Sequence, residues 1–312
     1  MACSGPHASA FDREINRQAG MRIGVAGLGR MGAAMAARLQ ELGHDVVVWN
    51  RSPEKAKPLA NAGATVASSP AELAGQVDAV MTILTDAGAI DTVYRGERGL
   101  LSADLAGKLV VDMSTVQPET EIRLAEDVRR TGAIFVECPV GGTVMPARTG
   151  KLLGLAGGEA ADVERARPIL DGLCRRLDHV GPVGAGASMK LAINLPLLVF
   201  YQALGEALTL CRHLGHDPKW LMEFFSDTSG GANVLKVRGP AIAEALSGGD
   251  PPPAFDIGSI RKDLRTMVAE AKTRGASLPL AERTLAVYDE AAEAGWDSRD
   301  GASLPSYWPG KA

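Results

Sequence analysis

Cysteine is scarce in this chain and never closely paired: Cys3, Cys138, Cys174 and Cys211 include no C-x-x-C. That usage points to a reduced, cytoplasmic compartment. Histidine is equally thin. His213 and His216 stand three apart and could share a helix face, but no further ligand accompanies them, so they read as surface residues and no metal is expected. Positive charge is not in excess, with 33 Lys and Arg against 37 Asp and Glu. A net charge of -4 lacks the basic face that a nucleic-acid partner requires, although a local basic site for a small anion remains open. No apolar run reaches the roughly 18 residues of a membrane span. The most apolar stretch, Leu191 to Leu210, is interrupted by Asn194, Pro196, Gln202 and Glu206, and reads as a buried helix. Residues 1–20 lack the apolar core of a secretory signal and read as a disordered extension.

What is present suits a globular protein of two domains: 312 residues, 46% hydrophobic and 22% charged. Short β-rich runs alternate with helical stretches over the first 180 residues or so. Arg22–Ala26, Asp45–Trp49, Ala79–Leu84, Leu109–Val111 and Ile134–Cys138 read as strands, with helices over Met31–Leu42 and from about Pro53. This alternation predicts a parallel sheet with helices on both faces. The Gly- and Pro-rich stretch GPVGAGAS, from Gly181, marks a boundary. Beyond it the spacing becomes helical: Met189, Ile193, Leu197, Phe200, Leu204, Leu208 and Cys211 recur at steps of three and four. They predict one long helix ending near Gly215 and kinked at Pro196, followed by helices around 217–226, 258–274 and 280–293. The expected organisation is an α/β Rossmann domain over 21–182 and an all-helical substrate and oligomerisation domain over 183–312.

The first strand runs into Gly27-Leu28-Gly29-Arg30-Met31-Gly32, a G-x-G-x-x-G that opens a helix. Gly27 permits the tight turn, Gly29 leaves room for a pyrophosphate, and Gly32 lets helix and strand pack closely. The free N–H groups and dipole of the helix N-terminus complete a phosphate site. The second strand then ends without the carboxylate that would accept from a ribose 2′-OH. In its place stand the neutral Asn50, the planar cation of Arg51 and the hydroxyl of Ser52. A 2′-phosphate suits that set, so NADP(H) is the preferred cofactor and NAD(H) the alternative.

A second candidate site is Gly184-Ala-Gly186-Ala-Ser188-Met-Lys190-Leu-Ala-Ile-Asn194. Lys190 and Asn194 are one helical turn apart and share a face. The glycines ahead of them read as room for a substrate or cofactor ring. With GLGRMG at 27–32, DMST at 112–115, ECPVGGT at 137–143, this lysine segment and KDL at 262–264, the chain resembles the β-hydroxyacid dehydrogenase family from about Arg22 onward. That family includes 3-hydroxyisobutyrate dehydrogenases, tartronate semialdehyde reductases and glyoxylate/succinic semialdehyde reductases.

The resemblance implies that Lys190 is the catalytic lysine and that Asn194 helps to hold substrate. It implies that Leu84, Thr85 and Thr115 line the nicotinamide side, and that Lys262 reaches cofactor or substrate from the helical domain. The segment Pro139 to Thr143, with Gly141, Gly142 and the Thr143 hydroxyl, would grip a substrate carboxylate, and glycines suit such a backbone nest. Many members read D-A-P-V-S-G-G where this chain has Glu137-Cys-Pro-Val-Gly-Gly-Thr143. The usual serine position is Gly141, and the hydroxyl has moved to Thr143. Sulfolactaldehyde reductases look similar here but tend to carry a basic residue at the position of Gly142.

The expected chemistry is hydride transfer between a small hydroxy acid and its semialdehyde or keto acid, with Lys190 as general acid and base. Imine reductases share the layout but generally lack the lysine at 190. A 6-phosphogluconate dehydrogenase has a much larger helical domain than residues 183–312. A cofactor-binding sensor or scaffold without turnover would be expected to lose Lys190 or Asn194. The long helix is apolar on nearly all sides, which suggests burial between subunits of a homodimer or homotetramer.

Overall fold

The computed structural model describes residues 21–308. The expectation for residues 1–20 lies outside that range. Contacts divide the chain into two compact units, the first ending at Lys190 and the second running from Leu191.

In the first unit, β1 (Arg22–Ala26), β2 (Asp45–Trp49), β3 (Thr65–Val66), β4 (Ala79–Thr82), β5 (Leu109–Asp112) and β6 (Ile134–Glu137) form a parallel ladder in the order β3-β2-β1-β4-β5-β6. Alternate side chains of each strand go to opposite faces. Ile23, Val25, Val46, Val48, Met81 and Val111 share one core with Met35 and Leu39 of α1 (Arg30–Glu41). Val47, Val80, Val110 and Phe135 share another with Leu124 and Val128 of α2 (Pro118–Arg130). Both faces are covered, so β4 and β5 are buried along their whole length.

The sheet goes further than the expected ladder, and its far edge is not parallel. β7 (Val140–Gly141) and β8 (Leu152–Gly157) join with β8 antiparallel to both β6 and β7. β9 (Cys174–Gly181), reached through α3 (Ala160–Leu173), then pairs parallel with β8. The connection from β6 to β8 is taken up by β7 and the short helix Val144–Arg148, and it turns the chain back antiparallel on the same edge.

The chain leaves β1 for β2 on one side and crosses to β4 on the other. Their carboxyl ends therefore diverge at a topological switch, where open sheets form a ligand crevice.

The long helix α4 (Ala185–Cys211) continues through Pro196 and closes with a 3-10 turn, Arg212–Leu214, before Gly215 at φ +66. The second unit adds α5 (Pro218–Ser226), α6 (Val234–Leu246), α7 (Ile257–Thr273) and α8 (Pro279–Ala291). Its described residues contain helices and one isolated bridge, Asp256 to Asp300, but no named strand. Leu198, Tyr201, Leu204 and Leu208 of α4 share a core with Ile242, Ile260, Leu264, Met267, Val287 and Tyr288. The expected apolar stripe is thereby corrected: Met189 and Ile193 are 44% and 38% exposed. A helix apolar all round carries no periodic mark of its inner face. By length and composition alone, Ala185–Leu214 would suffice for a membrane span. Its core contacts, and the buried Lys190, Asn194 and Gln202, identify it as a core helix.

Glycine is required where α1 meets β1. A Cβ on Gly32 would lie 1.9 Å from the Gly27 carbonyl oxygen, whereas one on Gly29 would meet nothing within 4 Å. Gly32→Ala should therefore cost about 1–3 kcal/mol in urea unfolding, as overpacking does. Gly29→Ala should stay within about 0.5 kcal/mol of the parent. Equal stability of the two variants would refute this account of the turn.

Candidate active site

Three side chain–backbone links build the carboxyl end of the sheet. Gly27, at φ +103, follows β1, and a Cβ there would lie 2.4 Å from the Ile83 carbonyl oxygen. Gly29 is the exposed N-cap of α1, with open space where its side chain would be. Arg30 is exposed beside it and Met31 half-buried. Leu28 donates its N–H to Oδ1 of Asn50 at 2.8 Å, and the Asn50 amide donates to the Ser52 carbonyl at 3.0 Å. Asn50 thus ties the glycine loop to the end of β2 rather than serving only as a neutral substitute for a carboxylate. Ser52 is half-buried, and Arg51 is exposed with no ion pair among the described residues. A dinucleotide fits these observations: a tight glycine turn with open space at Gly29 leads into a helix N-terminus.

The second link runs through Asp112, at the end of β5 and fully buried. Its carboxylate accepts from the Thr82 hydroxyl at 2.5 Å and from the Ser114 N–H at 2.8 Å. The Ser114 hydroxyl in turn accepts from the Leu84 N–H at 2.9 Å. The loops carrying Leu84, Thr85 and Thr115 are therefore fixed by Asp112 and Ser114, which the sequence offered within the DMST motif but without a role of their own. Thr85 is exposed and Thr115 half-buried. Burial raises the Asp112 pKa, and the hydrogen bonds from Thr82 and Ser114 pull it back.

The third link is Glu137, at the end of β6 and with no exposed surface. Its Oε1 accepts from the Gly184 N–H at 2.6 Å and the Gly186 N–H at 2.7 Å, and its Oε2 from the Ala187 N–H at 3.4 Å. The Ala185 N–H goes to the Pro182 carbonyl. The donors that a helix start leaves open are thus accounted for on α4. The glycines here have a different use from the expected one. A Cβ on Gly186 would stand 2.4 Å from the Leu155 carbonyl oxygen, and one on Gly157 would stand 2.2 Å from Glu137 Oε1. They make room for the protein's own backbone and carboxylate.

Lys190 lies one turn beyond Gly186 and is 7% exposed. In the second unit the Asn194 amide donates to Asp263 at 3.2 Å, and Lys262 pairs with the same carboxylate at 2.5 Å. The buried Asp263 brings these two expected site residues together, and only its place in the K-D-L run hinted at it.

The segment expected to grip a carboxylate is partly committed to the sheet: Val140 and Gly141 pair with Gly154 and Leu153 of β8. Gly142 adopts φ +125, and a Cβ there would meet Leu152 at 2.9 Å. Thr143 precedes the short helix Val144–Arg148 without capping it through its side chain. Among the described residues no group of three or more His, Cys, Asp or Glu could hold a metal ion.

Three buried carboxyls cluster behind this surface. Asp112 and Glu137 are register partners across β5 and β6. Glu121, on α2, is buried and meets the Asp112 carboxyl through a side-chain hydrogen bond. Burial, then the neighbouring Asp112 and Glu137, pushes its pKa well up. Burial also raises Glu137 from 4.5 to about 7, against its three backbone donors. A carboxyl whose folded pKa is raised gives stability that is complete below its unfolded value and lost as pH climbs through the folded one.

The chain matches two family models: the NAD binding domain of 6-phosphogluconate dehydrogenase over residues 22–181, and the NAD-binding domain of NADP-dependent 3-hydroxyisobutyrate dehydrogenase over 184–308. It is 33% identical to glyoxylate/succinic semialdehyde reductase 2 of Arabidopsis thaliana, over 89% of this chain and 76% of that protein. It is 34% identical to 3-hydroxyisobutyrate dehydrogenase of Pseudomonas aeruginosa, over 93% of this chain and 99% of that one. Among solved structures, Psf3 in complex with NADP+ and 2-OPP is 29% identical, with a TM-score of 0.82, over 91% of this chain and 99% of that chain.

The Glu137 shift has a measurable sign. Stability should fall as pH rises from 4.5 to about 7, by up to about 3 kcal/mol from Glu137 alone. Urea midpoints across that window should decline for the parent and decline less for Glu137→Gln. A parent stability that climbs with pH there would contradict the assignment.

Proposed function

Because the chain belongs to the β-hydroxyacid dehydrogenase family, and so is an NAD(P)-dependent oxidoreductase acting on a CH–OH group, we propose that it interconverts a small hydroxy acid and its semialdehyde with NADP(H). The observation that carries this reading is Lys190, a buried lysine one turn into a helix whose first turn is anchored by Glu137. In this reading residues 21–182 hold the cofactor, and 183–312 supply substrate contacts and the surface for a second copy. Gly27, Gly29 and the N-terminus of α1 bind the pyrophosphate, with Leu28, Arg30, Met31 and Gly32 forming the turn around it. Asn50 holds that turn in register with β2, and Arg51 and Ser52 pair with the 2′-phosphate. Leu84, Thr85 and Thr115 line the ring pocket.

The nicotinamide, when bound, supplies the hydride. The chain's own residues do the rest. Lys190 as the ammonium stabilises the charge that develops on the carbonyl oxygen and gives it a proton; in oxidation it takes the proton back. The carboxylate of the substrate is held by Gly141, Gly142 and Thr143, and Asn194 orients the substrate near the lysine. Asp263 fixes the Asn194 amide and the Lys262 ammonium, which faces cofactor or substrate. Gly142 offers no side chain for a second anion, which favours monoanionic substrates such as succinic, methylmalonate or tartronate semialdehyde, or glyoxylate. A cytoplasmic homodimer or homotetramer completes the reading, supported by exposed Leu210, Leu214, Phe224 and Val237 on the helical unit.

Three experiments test it. Arg51→Ala should lower kcat/KM for NADPH by about 1.5–3 kcal/mol of binding and leave NADH nearly unchanged. A parent enzyme that prefers NADH would remove the assignment of Arg51. Lys190→Met should lower kcat with the semialdehyde panel by about 10²–10⁴-fold, while NADPH still binds in a fluorescence titration. An uncharged aldehyde of the same size should be a poor substrate for the parent. Near-normal turnover by Lys190→Met overturns the proton-transfer role, and equal turnover of the uncharged aldehyde overturns the carboxylate grip.

A further inference from the structure

We propose that Glu137 is a positioning residue for Lys190: its ionised carboxylate holds the first turn of α4 in place, and protonation releases that turn. The inference rests on the reading of Lys190 as the proton donor.

The geometry is specific. One carboxylate takes three N–H groups from Gly184, Gly186 and Ala187, at 2.6, 2.7 and 3.4 Å. These donors cannot bond within their own helix, whose first internal bond here is from the Ser188 N–H to the Gly184 carbonyl. A carboxylate facing the positive end of a helix forms charge-assisted bonds, about twice as strong as neutral ones. Residues three and four apart lie on one face of a helix. Gly186 and Ala187 are four and three before Lys190, so the held backbone is the turn directly beneath the lysine's own face. Gly184 at φ +95 and Gly186 bring no side chains to the turn, and its other hydrogen bonds are local: the Ala185 N–H to the Pro182 carbonyl and the Ser188 hydroxyl to the Gly184 carbonyl.

The carboxylate is poised to lose its charge in the working range. It is fully buried, and the titratable groups beside it are the carboxyls of Asp112 on β5 and Glu121 on α2 and the buried thiol of Cys138. Burial and Asp112 push it up, the three donors pull it down, and the balance falls at about 7. Above that value all three N–H groups face an anion. Below it one oxygen becomes a donor itself and the charge assistance is gone.

The proposal is tested on the whole protein by amide hydrogen exchange and by kinetics. In the parent, protection factors for Gly184–Ala187, corrected for intrinsic exchange, should fall about tenfold or more between about pH 8 and about pH 6. Protection of Leu198–Leu208, buried in the core of the second unit, should not change with them. Glu137→Gln should show low protection at 184–187 that no longer varies with pH. Its kcat should drop about tenfold or more with KM within about threefold, and the acid limb of its kcat profile should vanish. Glu137→Asp, which keeps the charge on a shorter arm, should recover the pH dependence but not the full protection. Parent protection at 184–187 that is independent of pH would overturn the proposal, as would a Glu137→Gln enzyme with parental kcat and acid limb. The exchange measurement on the parent needs neither a variant nor turnover. If Lys190→Met proved active, the proton-donor reading would fall while the exchange result still decided whether Glu137 holds the turn.

Discussion

A carboxylate buried at the end of a strand has to be matched by donors, and at Glu137 the match is made by the start of another element. The first turn of α4 supplies three N–H groups to it. Much of the local sequence follows from that one contact. Gly157 is glycine because any side chain would occupy the carboxylate's place, and Gly186 because the helix must lie against the Leu155 carbonyl. The burial of Glu137 also puts it in an acid cluster with Asp112 and Glu121, whose members disfavour one another's charge. The fold as a whole favours Glu137 protonated, while the anchored turn needs it charged. Local order and global stability are therefore set against each other at one side chain.

The other links work by the same economy. Asn50 joins the glycine loop to β2, and the Thr82–Asp112–Ser114 chain joins the ends of β4 and β5 to the Leu84 N–H. In each, a short polar side chain at a strand's carboxyl end bonds a backbone group of a neighbouring loop. The loops at the switch point are thereby held by the sheet, which is how a crevice made of irregular backbone can present donors at fixed positions. Asp263 does a similar service within the second unit for Asn194 and Lys262.

Legibility in the sequence tracked how local the physics was. Arg22–Ala26 and Asp45–Trp49 could be read directly because a buried parallel strand is an unbroken apolar run between turn residues. GLGRMG could be read because its glycines stand at fixed spacing across one strand-to-helix turn, where Gly32 packs on the Gly27 carbonyl. β8 and β9 escaped notice: Leu152–Gly157 is diluted by two glycines, and Cys174–Gly181 carries Arg175, Arg176 and Asp178. Helix Val234–Leu246 was hidden by Gly239-Pro240 at its centre, where the glycine lets Met222 of α5 come close. Glu137, Asp112 and Asp263 lay within quoted motifs but received no role, because Gly184 and Gly186, Thr82, and Asn194 respectively are far from them in the chain. The available signal was an acid closing an apolar run, as in Ile134-Phe-Val-Glu137 and Leu109-Val-Val-Asp112, which burial obliges to find a donor.

Helix α4 has a consequence for how the protein is made. Within the helical unit, the residues that share a core with Leu198, Leu204 and Leu208 come largely later in the chain, from Leu235 in α6 to Tyr288 in α8. Synthesis from the N-terminus therefore releases a helix apolar on nearly all sides, and as long as a bilayer is thick, before most of its covering exists. Until the ribosome has passed Tyr288, that surface is a ligand for whatever nascent-chain factor meets it first. A chain cut short within α7 would carry that helix with Val287 and Tyr288 missing from its core.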